Sequence, residues 1–376
     1  MLHILIGGAG CGKSTCLIQH LQKQLKAGEQ ILTLVPEQFS YEFDQKLYRI
    51  LGPVAFNQLE THSFKSLARA VFQRFGCVPD GKTNADELTK MALLYQAVLQ
   101  VSEREKKLQL LGKQCRQASF VSELAMMFTQ FRRSGIPPEQ LYNSSAELNG
   151  RLQEKMLDVF EIYQRYDQLL EQHQLKDTET DLSEAAAIAN GHDAFLGDVI
   201  FLDEFESFTE DEYQMLSVLL SSGKDLYIAL RMEHTRKEPF SLFAAVQETF
   251  CNIQDMAKKL RIPVETEVCD TPYRFQAAEL SWLNQHVFRN TQPFSGEAPH
   301  LHILEAQSPT EEVDYVCATI RRLLAKDHTL RCRDIAVLSN QMTDYRSILE
   351  TAMERYKLPY YMDEKESMLY TPLLVY

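Results

Sequence analysis

No Cys-x-x-Cys pair occurs anywhere in this sequence, although it carries eight cysteines, at positions 11, 16, 77, 115, 251, 269, 317 and 332. Without such pairs a zinc ribbon has no basis and a disulfide framework no support, so a reducing, cytoplasmic setting is expected. The N-terminus lacks a basic leader, and no stretch approaches the roughly 20 apolar residues of a membrane span, so no membrane partner is expected. A basic excess is missing too. Lys and Arg total 39 against 52 Asp and Glu, a formal charge of −13. That balance works against non-specific nucleic-acid binding by the surface as a whole, while leaving room for a local basic groove. The single tryptophan, Trp282, lies in an apolar helical pattern and reads as core rather than as a platform for bases. Met126–Met127 likewise read as helix packing, and neither an internal repeat nor a low-complexity tract is visible.

What remains is ordinary globular composition over 376 residues, enough for two or three domains with their own cores. "LHILIGG" reads as a buried strand followed by the helix "KSTCLIQHLQKQLKAG". "QILTLVPEQ" is a second strand, "FSYEFDQKLYRILG" a helix ending at Gly52, and "FNQLETHSFKSLARAVFQRFG" a short strand and helix. This alternation predicts a doubly wound parallel sheet. Between about 85 and 190 the periodicity is helical throughout, which predicts an all-helical insertion. The sheet resumes with "DVIFLDEF" and "KDLYIALRM". From residue 296 a further α/β unit is expected, with strands in "HLHILEAQ", "DIAVLSN" and "LPYYMD". The expected fold is therefore a P-loop (RecA-like) α/β domain over 1–84 and 191–295, interrupted by the insertion at 85–190. The start of a second α/β domain follows over 296–376. "MLYTPLLVY" ends inside an apolar run and reads as a chain cut within that domain.

Two constellations carry chemistry. Gly7-x4-Gly12-Lys13-Ser14 fits the P-loop pattern between a strand and a helix. In that pattern the stretch Gly7, Gly8, Ala9, Gly10, Cys11, Gly12, Lys13, Ser14 and Thr15 wraps phosphates with backbone N–H groups. Lys13 neutralises phosphate charge, the Ser14 hydroxyl ligates magnesium and the helix adds its positive end. The alternative is a glycine-rich turn without nucleotide. Asp203 and Glu204 close the strand "VIFLDEF", where one acid can hold magnesium and the next polarise an attacking water. A solvated acidic turn is the plainer reading of "DEFESFTEDE".

With the P-loop at the N-terminus, "THSFKSLARAVF", the helical insertion and "FLDEF", the chain resembles superfamily 1 helicases of the UvrD/Rep type. The order "LVPEQFSYEFDQKLYRILG", "FRRSGIPPEQL", "FLDEFESFTEDEYQML" and "PYYMDEKESMLYTPLL" is more closely similar to the AddB/RexB type, the B subunit of the ATP-dependent helicase/deoxyribonuclease. The resemblance spans the whole chain. It implies ATP and Mg²⁺ as ligands, with Lys13, Asp203 and Glu204 as catalytic residues. It also implies a heterodimer with a partner helicase–nuclease that carries the main motor. The implied substrate is single-stranded DNA from duplex ends, in recombinational repair of double-strand breaks. In that family the helicase-like part of the AddB/RexB chain reads a recombination hotspot (Chi). A C-terminal nuclease domain there is tied by an iron–sulfur cluster, expected here only in a C-terminal region absent from this chain.

Against that pattern several parts are missing. There is no room for the adenine-reading glutamine upstream of the P-loop. "IALRMEHTRKEP" lacks the Gly-Asp-x-x-Gln segment that senses the γ-phosphate, and the second-domain arginine would lie beyond Tyr376. Arg274 in "TPYRFQAAELSWLN" matches an ATP-contacting arginine, or else is a surface residue at a helix start. Thr61, His62 and Ser63 match a DNA-touching segment with Phe64 placed to stack; alternatively Ser63 caps a helix and Phe64 packs inside. Lys106–Lys107, Arg132–Arg133 and Arg321–Arg322 are candidates for phosphate contact or solvated helix faces. The expectation is a nucleotide clasp that contacts DNA, with an active translocase as the alternative and a P-loop small-molecule kinase as a more distant one.

Overall fold

The computed structural model describes residues 1–75, 82–104, 108–114, 117–177, 180–235, 241–271, 273–287 and 293–362. The chain forms two compact units, Met1–Gln292 and Pro293–Tyr376. In the first, the elements run β1 (Leu2–Gly7), α1 (Lys13–Lys26), β2 (Ile31–Leu34), α2 (Ser40–Phe56), β3 (Leu59–His62) and α3 (Phe64–Phe75). Then come β4 (Thr83–Asn84), α4 (Glu87–Leu99), α5 (Ala118–Arg133), α6 (Pro138–Ser145), α7 (Arg151–Gln172), β5 (Leu175–Lys176) and α8 (Asp181–Gly191). The unit closes with β6 (Val199–Leu202), α9 (Glu210–Ser222), β7 (Asp225–Arg231), α10 (Ala244–Lys259), β8 (Val264–Val268) and α11 (Ala278–His286).

Six strands form one sheet in the order β3-β2-β6-β7-β1-β8, and every ladder in it is parallel. Parallel sheets need cover on both faces, which makes their strands apolar throughout. The period-2 alternation divides those residues between two cores. Ile4, Ile6, Leu34, Ile200, Leu202 and Ile228 join α3, α8, α9 and α10 on one face. Leu5, Ile31, Val199, Phe201 and Ala229 meet α1 and α2 on the other. Because all strands run the same way, their carboxyl ends share one edge, where α/β sheets bind ligands.

The helix opening α2 ends at Gly52 as expected: Gly52 takes φ 76° and ψ 168°, and Pro53 opens one further turn beyond it. The structure departs from the sequence reading in three places. The insertion is not purely helical, since β4 pairs in parallel with β5. Its own core joins α4, α5, α6 and α7 through Leu94, Val98, Phe128, Leu141 and Tyr163. Helix α8, expected in the insertion, instead buries Leu182, Ala185, Ala186 and Ala189 in the core of the sheet. Lastly, β8 was not foreseen. It is a short edge strand, exposed along most of its length, so it carries no apolar run to mark it.

The second unit contains α12 (Pro309–Lys326) and α13 (Met342–Arg355), packed through Val313, Cys317, Ile320, Leu349 and Met353. The expected strands at 300–307, 334–340 and 358–363 form no ladder among the described residues, which run to 362. A strand is defined by its hydrogen-bonded neighbour, and none of these segments has one there. No helix among the described residues is long and apolar enough to cross a membrane.

A candidate nucleotide site at the carboxyl edge of the sheet

Strand β1 ends at Gly7, and the chain turns through Gly8–Gly12 into α1. The turn needs two left-handed residues, Gly10 at φ 72° and Gly12 at φ 80°, where a side chain would be strained. A Cβ on Gly10 would also sit 2.5 Å from Cβ of Arg274. That closeness follows from a strap: the backbone N–H groups of Tyr273 and Arg274 both donate to the Gly10 carbonyl, at 3.1 and 3.3 Å. Arg274 therefore lies on the loop itself and outside α11, rather than on a helix start away from the site.

Inside the loop, Lys13 Nζ donates to the Gly8 carbonyl at 2.7 Å, using one of the three donors of an ammonium. Burial, reinforced by the neighbouring Arg231 cation, holds its pKa below the usual lysine value. Gly12 is the N-cap of α1 and uses no side-chain cap, so the first N–H groups of the helix are not covered by one. The first turn also holds no acid, which leaves its positive end uncompensated by the helix's own residues.

Strand β7 stands between β1 and β6 in the sheet, so the acids arrive two strands away from the loop. Asp203 follows β6 directly and is 4% exposed. Burial raises its carboxyl above the ordinary aspartate value, and the adjacent Ser14 hydroxyl offsets part of that rise. Its Oδ1 accepts the Glu204 N–H at 3.0 Å, while its Oδ2 is buried without a well-formed hydrogen bond. An acceptor in that state costs energy unless something else meets it. Glu204 is held at φ 64°, a conformation unfavourable to a side chain by about 1–2 kcal/mol. Its carboxylate faces Arg231 at 3.9 Å, and Arg231 also reaches Glu206 at 3.5 Å.

These groups line one cavity of about 1040 Å³, bounded by the loop from Ala9 to Cys16 and by Lys46, Asp203, Glu204, Arg231, Tyr273 and Arg274. Lys46, Arg231 and Tyr273 were not singled out from the sequence. For Arg231 a signal existed, because it ends the apolar run "DLYIALR" at the same edge as the acids.

The segment Thr61–Phe64 reaches the same edge, where Ser63, Phe64 and Lys65 line a second cavity of about 560 Å³ with Glu204 and Arg231. Its side chains have structural partners. Thr61 accepts from the Thr33 hydroxyl at 2.8 Å, and His62 lies between Ser66 and Glu60. Ser63 caps α3: its Oγ accepts the Ser66 N–H, and the Ser66 Oγ accepts the Ser63 N–H. Phe64 is buried edge-on against Phe205 and Phe208, so its ring is not presented for stacking.

The basic pairs divide. Arg132 is an interior cation, paired with Asp167 and Asp177 and packed over the rings of Tyr163 and Tyr166. Arg321 and Arg322 are exposed on α12, and Lys106–Lys107 lie outside the described residues. Trp282 is half-buried and stacked on His286, while Met126 is exposed, contrary to its reading as packing.

The parallel sheet, the glycine turn opening α1 and the helical module between β3 and β6 define an α/β domain of RecA-like architecture with a helical insertion. The family model described as ADDB, N-terminal, matches residues 4–284, and the chain belongs to that family. It is similar to proteins named as the B subunit of an ATP-dependent helicase/deoxyribonuclease. The one from Clostridium tetani is 28% identical over 394 residues, covering 100% of this chain and 33% of the relative. That from Natranaerobius thermophilus is 27% identical, covering 98% of this chain and 33% of the relative. That from Clostridioides difficile is 26% identical, covering 100% and 33%. The chain thus spans about a third of the length of the curated relatives it matches.

Proposed function

We propose that this chain is the nucleotide-binding, helicase-like part of a helicase–nuclease subunit that processes broken DNA ends for recombinational repair. The observation that supports it most is the buried Asp203, whose Oδ2 has no well-formed hydrogen bond, beside Ser14 and across the cavity from the Lys13 loop. A hard divalent cation takes oxygen ligands, and this hydroxyl–carboxylate pair fits Mg²⁺, with the carboxylate holding it directly or through water. Bound Mg²⁺ would neutralise phosphate charge. The loop N–H groups and Lys13 would hold the phosphates, and Arg274 and Tyr273 would close over them. Measuring the affinity of a fluorescent ATP analogue with and without Mg²⁺ tests this. Micromolar binding strengthened by Mg²⁺ is expected, and no binding in a folded protein would sink it.

The cavity at Ser63–Lys65, beside Glu204, supports passage of single-stranded DNA along the same edge, held there by backbone rather than by the Phe64 ring. Chi-type reading, a heterodimer with a motor-bearing helicase–nuclease and a cytoplasmic setting belong to this proposal, as does a role other than main motor. Glu204 supports the second reading, an active translocase, in which this strained acid beside Arg231 would polarise the attacking water. Robust DNA-stimulated ATP turnover that disappears in Glu204→Gln would select it.

A further inference from the structure

Three residues given no part in phosphate or magnesium binding converge at the border of the nucleotide cavity, which Cys16 and Glu267 also line. Cys16 and His20 are four apart on α1 and so share one face of the helix. Glu267, on β8, meets both: Oε1 lies 3.2 Å from Cys16 Sγ and Oε2 lies 3.1 Å from His20 Nε2. One donor atom from each of the three can be chosen so that all lie within 4.8 Å of one another. We propose that Cys16, His20 and Glu267 form a binding site for a borderline-soft divalent cation of the zinc type, bridging α1 and the edge strand β8.

The donor set matches that cation class. Thiolate sulfur, imidazole nitrogen and carboxylate oxygen together suit zinc, whereas magnesium takes oxygen alone. Tetrahedral bonds of zinc length put neighbouring ligand atoms about 3.3–3.8 Å apart, so three donors already within 4.8 Å of one another need to close by only about 1 Å. The framework is already built. The His20 ring stacks on Tyr227 at 5.3 Å between centroids, which orients it from the sheet side. Glu267 is fixed by β8, whose backbone pairs in parallel with β1. A water would complete four-fold coordination. Half-burial of Cys16 and His20, with Glu267 exposed, leaves the ion a path from solvent. Coordination would cross-link the two segments that frame the glycine loop. The Cys16 N–H is bonded to the Gly12 carbonyl and the Cys269 N–H to the Ile6 carbonyl, at 2.9 and 2.7 Å. The site does not depend on the nucleotide reading.

Titration of the reduced, chelator-stripped chain with Co²⁺ reads the proposal directly. A near-ultraviolet thiolate-to-cobalt band is expected to saturate at about one equivalent, to vanish on adding Zn²⁺ and to persist in excess Mg²⁺. Cys16→Ser should abolish the band. His20→Ala and Glu267→Gln should each weaken cobalt affinity by at least about tenfold, and Cys251→Ser should leave it unchanged. Circular dichroism shows whether each variant is folded, and if Cys16→Ser is not, the His20 and Glu267 variants decide. Absence of the band in the unaltered chain, or its persistence in folded Cys16→Ser, overturns the site. Unchanged affinity in both the His20 and Glu267 variants overturns it as well.

Discussion

The carboxyl edge of the sheet and the helical insertion both bury aspartates, and they finish them differently. In the insertion, Asp158 is 1% exposed and accepts three backbone N–H bonds, from Gln109, Leu110 and Leu111, each at 2.8 Å. In the same insertion, Asp177 is enclosed between Lys90 and Arg132. At the sheet edge, Asp203 is almost as deeply buried but keeps Oδ2 without a well-formed bond, next to a glutamate in a left-handed conformation. A buried carboxylate with its acceptors filled pins a segment of chain, whereas the one left short of partners is where the proposed Mg²⁺ would be met. Burial is common to the two carboxylates; what differs is the hydrogen-bond inventory.

The largest expected effect belongs to the scaffold. Asp158→Ala strips three donors of a charged acceptor at once and should lower stability by about 3 kcal/mol or more in urea unfolding. Nucleotide affinity of the folded fraction should stay unchanged. If stability is unaffected, the contrast between the two regions fails. Next is Lys13→Ala. Losing a charge-assisted phosphate contact should weaken ATP-analogue binding by on the order of a hundredfold, about 2–3 kcal/mol, with the circular-dichroism spectrum preserved. Retained affinity in that folded variant would remove the loop from the site. Smaller still is Asp203→Asn, which should abolish the Mg²⁺-dependent part of binding. It should leave the unfolding midpoint level or raised, because a costly buried charge disappears. A destabilised variant that still responds to Mg²⁺ would mean that Asp203 is scaffold after all.

The parallel sheet was legible because both-face burial leaves continuous apolar runs, as in "LHILIG" and "VIFL". The loop was legible because its glycines and Lys13 are local in sequence, and the acids because they terminate a strand. What escaped depends on distant pairing. The strap of Tyr273 and Arg274 on Gly10 joins residues far apart in the chain, so no spacing could announce it. The cysteines looked scattered because pairs were sought at Cys-x-x-Cys spacing, while Cys16 and His20 are related by one helical turn and meet Glu267 only through β8. Phe64 shows the converse: an aromatic beside a resembling motif is drawn inward wherever a core offers it edge-on partners, here Phe205 and Phe208.

The contrast extends to the helix caps, where it acquires a sign. Asp86 caps α4 in the insertion by accepting the Thr89 N–H at 2.7 Å, and Thr89 holds its pKa below the usual 3.8. Glu212 closes the capping box of α9 beside the sheet, accepting the Thr209 N–H at 2.8 Å, but burial pushes its pKa above the usual 4.5. A lowered acid stabilises the fold above its unfolded pKa, and that contribution is lost as pH falls through the folded value. A raised acid contributes stability below its unfolded pKa and loses it as pH rises through the folded value. Asparagine and glutamine keep the acceptor oxygen and remove the charge. Asp86→Asn should therefore be less stable than the unaltered chain at neutral pH, with the deficit closing as pH drops below about 4. Glu212→Gln should be level or more stable at neutral pH, its advantage closing on acidification from above. Urea midpoints of the three proteins across that range measure both differences. Parallel slopes would show that the two caps sit in equivalent surroundings, and the contrast between the insertion and the sheet edge would not extend to them.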